Sequence, residues 1–109
     1  MLVTTTNTIE GRPVRDYLGV VTGEAVIGAN VFRDLFAGIR DVIGGRTGSY
    51  EQVFQRGQQE AIAELAQRAE QLGANAVVGI EVDTGTISVD DRGTLLLITA
   101  VGTAVKLKG

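Results

Sequence analysis

The sequence contains no cysteine and no histidine, only one proline and one methionine, and no tryptophan. Without thiols or imidazoles there are no disulfides, no thiolate or imidazole metal centre, no Ser-His or Cys-His nucleophile and no histidine acid–base chemistry. A basic surface is missing too. Ten Lys plus Arg stand against thirteen Asp plus Glu, giving a net charge of −3. The arginines are spread from Arg12 to Arg92, and the lysines, Lys106 and Lys108, lie at the C-terminus. A nucleic-acid partner needs a clustered cationic face, so none is expected. The longest apolar run, Leu95 to Ile98, falls far short of the ~18 residues of a membrane span. Met1 to Thr6 carries neither a basic start nor an apolar stretch, so no secretory signal is expected and the reading is a cytoplasmic protein with no membrane partner.

What is present is a core. Hydrophobic residues make up 44% of the chain and charged residues 21%, which is globular rather than disordered. With 109 residues a single domain spanning 1–109 is expected.

From Val14 to Ile27, Val14, Leu18, Val20 and Val26 share one parity, and Tyr17, Val21, Ala25 and Ile27 the other. That pattern predicts a strand apolar on both sides. Asn30 to Ile43 carries Phe32, Leu35, Phe36, Ile39, Val42 and Ile43 at helical spacing and ends at Gly44-Gly45. A second helix opens at the capping box Ser49-Tyr50-Glu51-Gln52, carries the stripe Phe54, Ala61, Ile62, Leu65, Ala69, Leu72, and closes at Gly73. Ala76 to Asp83 and Thr94 to Leu107 read as strands, Thr84 to Gly93 as a loose loop, and Leu2 to Thr5 as a short edge strand. The order ββααββ predicts an α+β two-layer sandwich, two helices on one face of a mainly antiparallel sheet. Two helices cover one face only, so the remaining apolar face predicts self-association.

The stretch from Gly19 to Glu51 (GVVTGEAVIGANVFRDLFAGIRDVIGGRTGSYE), with LGANAVVGI at Leu72–Ile80 and GTAV at Gly102–Val105, resembles the YbjQ-like family of small bacterial proteins, labelled "putative heavy-metal-binding". The resemblance covers nearly the whole chain. It implies a dodecin-related subunit that forms ring-shaped homopentamers, and the number five rests on the resemblance alone.

Heavy metals favour thiolate and imidazole ligands, and the sulfur of Met1 is the single thioether here. A harder cation could be held by carboxylates. Glu81 and Asp83, two apart on one strand face, with Glu24 from a neighbouring strand, are the candidates. The plainer reading of these three is a solvated face or ion pairs between subunits; Asp90-Asp91 reads as a polar loop. Gly44 to Ser49 sets three glycines and Arg46 directly before a helix. Gly45, Arg46, Gly48 and Ser49 could therefore cradle an anion at a helix N-terminus, or simply form a tight helix–helix connection. Arg33-Asp34 and Arg40-Asp41 recur seven residues apart, on nearly one helical azimuth. An interface ladder of ion pairs fits them better than a pore lining. Tyr17 and Tyr50 have no recognisable base partner.

No catalytic residue and no cofactor is assigned. The leading expectation is a non-enzymatic homo-oligomer that binds a small ligand or ion at its subunit interfaces. The alternatives are a divalent-cation or heavy-metal binder, or a hydrolase or lyase using Glu24, Asp34 or Asp41 in an inter-subunit cleft.

Overall fold

The structure, a computed structural model, describes residues 1–28, 48–89 and 93–109. Four strands form one sheet: β1 (Leu2–Val3), β2 (Val14–Ile27), β3 (Ala76–Val89) and β4 (Gly93–Leu107), in the order β1-β3-β4-β2. One helix, α1 (Gly48–Gln71), lies on it. The α+β class and the boundaries of β2 are as the patterns require. The first expected helix, Asn30–Ile43, lies outside the described residues, so among those described one helix covers the sheet.

The sheet is mainly antiparallel, as expected, with the short β1 running parallel to β3 at one edge. The N-terminal segment stays bound to that edge beyond β1, through Thr4 N–H to Val77 O (3.0 Å) and Gly79 N–H to Thr6 O (2.8 Å). The expected loop from Thr84 is strand as far as Val89, paired with β4 from Ser88↔Thr94 back to Thr84↔Ile98. Its polar look reflects exposure of Thr84 through Ser88, not irregular backbone; threonine, isoleucine and valine favour the pleated state. The β3–β4 hairpin thus projects past the core. The described residues span 53 × 31 × 15 Å with a radius of gyration of 17.1 Å, against about 13 Å for a compact chain of about 100 residues. They form a long, thin slab.

A further correction concerns faces. A bulge between Tyr17 and Gly19 shifts the register of β2, with Gly19 at φ +128°. Its extra residue inverts side-chain parity. Leu18 therefore packs in the core beneath α1 with Val21, Ala25 and Ile27, while Tyr17 is exposed with Val20 and Val26. Two further shifts lie between Val14 and Asp16 on β2 and between Val78 and Glu81 on β3, where Gly79 has φ +65°.

The main core joins α1 to one sheet face, with Ala61, Leu65 and Ala69 fully buried against Val77, Ile98, Ala100 and Ala104. Helix and sheet approach closely because Gly23 and Gly57 present no side chain at the contact. Leu72, expected in the buried stripe, is 50% exposed, because the helix ends at Gln71. That end is a Schellman cap: Ala74 N–H bonds Ala69 O and Gly73 N–H bonds Glu70 O, with Gly73 at φ +88°. Asn75 then pins β3 to β4, accepting Leu107 N–H on its Oδ1 (2.8 Å) and donating its own N–H to Val105 O. On the opposite face a smaller core of Ala76, Val78, Val105 and Leu107 is sheltered by Ile9 and Val14.

Candidate functional site

Cross-strand pairs share a face, so the two registers of β4 map, row by row, the side opposite α1, which is helix-free among the described residues. Beyond the smaller core the rows run Val20–Thr103, then Thr22–Val101–Glu81, Glu24–Thr99–Asp83, Val26–Leu97–Gly85, and finally Leu95–Ile87 at the hairpin. Tyr17, Val20, Val26, Ile87 and Val101 are 75, 72, 59, 47 and 40% exposed. Five large apolar side chains open on one face amount to several hundred Å2, the scale at which a patch marks an interaction site.

The three carboxylates chosen from the sequence, Glu24, Glu81 and Asp83, do share this face. The structure places them together on it but does not gather them into a cage. Glu24 and Asp83 flank Thr99 with β4 between them, two strand spacings or roughly 9–10 Å apart at Cα. Among the described residues no group of three or more Asp or Glu is close enough to hold a metal ion.

Glu24 is also occupied. Arg68, in the last turn of α1, reaches around the edge of β2. Its Nη1 donates to Thr22 O (2.8 Å), Thr22 Oγ1 (3.2 Å) and Glu24 Oε2 (3.3 Å), and its Nη2 pairs with Glu64 Oε1 at 2.6 Å. Sequence reasoning missed this constellation. The i,i+4 spacing of Glu64 and Arg68 was its one legible sign.

Gly48 and Ser49 form the first turn of α1, so the helix begins one residue before the expected capping box. Gly45, Arg46, Arg33, Asp34, Arg40, Asp41 and Asp90-Asp91 lie outside the described residues. The described residues line two hollows. One of about 220 Å3 sits between Val26–Gly28 and Val53, Arg56, Gly57 and Glu60 on α1. The other, a groove of about 570 Å3, is lined by Leu2, Thr4, Thr6, Thr8, Ile9 and Glu10. Neither brings together an acid–base pair with a nucleophile.

The comparisons decide the family. A family model described as "Putative heavy-metal-binding" matches residues 1–108. The chain belongs to the YbjQ-like family. Relatives in this bacterial family are named UPF0145 proteins. One from Trichodesmium erythraeum is 68% identical over 98% of this chain and 99% of its own length. Another from Nostoc punctiforme is 61% identical over 99% of this chain and all of its own. Among solved structures, a protein of unknown function of the DUF74 family from Pediococcus pentosaceus matches 99% of this chain and 98% of its own. Its TM-score is 0.69 at 18% identity, a likeness of fold. Among the described residues no helix is long and apolar enough to cross a membrane.

Proposed function

We propose that the chain is a self-assembling, non-enzymatic cytoplasmic protein of one domain, whose helix-free sheet face is the contact between subunits. The observation that carries this reading is the row of exposed apolar side chains on that face, Tyr17, Val20, Val26, Ile87 and Val101. Burial at roughly 25 cal/mol per Å2 gives several kcal/mol of gross stabilisation per contact, before the cost of association. The slab shape supports the same reading: among the described residues the β3–β4 hairpin extends beyond α1, and a neighbour would bury it. A head-to-tail contact closes into a ring when its rotation permits. The ring of five, and the dodecin-like comparison, come from the family resemblance.

Under this reading a ligand or ion is held where Glu81 and Asp83 of one copy meet a neighbour. That is the form in which the family label applies to a chain without Cys or His. The test is the double variant Val20→Glu/Val101→Glu, with Gln59→Glu on the outer surface of α1 as control. The face variant should dissociate into folded monomers in light scattering while the control keeps the parent mass. A face variant with the parent mass would place the contact elsewhere.

A further inference from the structure

Among the described residues β2, fourteen residues long, is the outer strand at one edge of the sheet. The Thr22 carbonyl points outward, since Arg68 binds it. Hydrogen-bonding direction alternates along a strand, so Val20, Glu24 and Val26 also turn their peptide groups outward. The segment Val20–Ile27 is VVTGEAVI, rich in β-branched residues, free of proline and with a single charge. An edge of this kind is a template for strand addition. The opposite edge is shielded differently: the N-terminal segment bonds β3 as far as Ile80, through Ile80 N–H to Thr4 O at 3.1 Å.

We infer that Arg68 is an edge guard, held between Glu64 and Glu24 so that its guanidinium occupies the Thr22 carbonyl and bars strand addition along β2. The three contacts made by Nη1 use its donors on one residue's backbone and two side chains of the edge, and the 2.6 Å pair with Glu64 fixes the arginine stem from the helix side. A strand arriving at β2 must displace this whole group before it can bond Thr22. The bulge at Tyr17/Gly19 disrupts the edge nearer its start. Arg68 therefore guards the stretch the bulge leaves flat. The guard acts at the edge, and assembly through the helix-free face is neither required for it nor hindered by it.

The experiment compares the parent, Arg68→Ala, Arg68→Lys and Arg68→Ala/Glu24→Lys in thioflavin-T kinetics and sedimentation, with urea midpoints measured in parallel. Arg68→Ala should gain thioflavin-T signal and sedimenting material that the parent lacks. Arg68→Lys keeps the charge but not the planar fork, and should fall between them. Glu24→Lys in the Ala background restores a cation to the edge and should abolish the gain without restoring the Thr22 contact. Two results overturn the inference: Arg68→Ala aggregating no more than the parent, or aggregation that follows a lowered urea midpoint and persists in the double variant.

Discussion

Replacing Gly23 with alanine places one methyl group between β2 and α1. A Cβ there overlaps the carbonyl oxygen of Ala61 and comes within 2.7 Å of the Leu65 amide nitrogen. Both are helix backbone, so no rotamer change relieves the clash. The helix must lift by about 1 Å or more, opening the contacts of Leu65 and Ala69, both fully buried. Overpacking of a rigid core costs about 1–3 kcal/mol and occasionally more; with backbone on the receiving side, about 3 kcal/mol is expected. Gly57→Ala is the informative counterpart. Its Cβ meets the Cδ1 end of Ile98, a side chain that can turn, and alanine in a helix interior recovers about 1 kcal/mol relative to glycine. A net cost of about 1 kcal/mol is expected. Urea unfolding at one fixed protomer concentration should therefore separate two chemically identical substitutions by about 2 kcal/mol. If Gly23→Ala matches the parent, or Gly57→Ala costs as much as Gly23→Ala, the account of a backbone-to-backbone helix–sheet contact is wrong.

Three further outcomes are expected. Leu65→Ala empties a fully buried site and should cost about 2–5 kcal/mol in the same assay. Gly73→Ala forces a side chain into the left-handed conformation at φ +88° and should cost about 1–2 kcal/mol, whereas Gln71→Ala should be near neutral. Calorimetric titration of tag-free protein with Zn2+ or Cd2+ should show no stoichiometric submicromolar site, since the sequence has no thiolate or imidazole ligand and a single thioether; such a site would refute the soft-ligand argument.

Much of the fold was legible because it follows from local pattern. Val14–Ile27 stands out by apolar residues on both parities, and the Phe54–Ala69 stripe and Gly73 define α1 and its cap. The faces were harder to read, because the bulges at Tyr17/Gly19 and Val78/Glu81 invert parity. A bulge is set by how two distant strands register, which a single strand's pattern does not encode. Thr84–Val89 was misread for a related reason: its pairing depends on Thr94–Ile98 across the hairpin, and its polar residues describe exposure. Of the candidate site, the shared face of Glu24, Glu81 and Asp83 followed from strand alternation. The Arg68 contact to Thr22 spans forty-six positions and depends on a helix lying over an edge strand, a tertiary fact with no local signature.

Native mass spectrometry and light scattering on dilute, tag-free protein test the central claim most directly. The reading of the helix-free face requires a discrete closed oligomer, and the family resemblance sets it near five times the 11.5 kDa subunit. Another ring size would correct only the number. A stable, folded monomer that leaves Tyr17, Val20, Val26, Ile87 and Val101 in water would contradict the account.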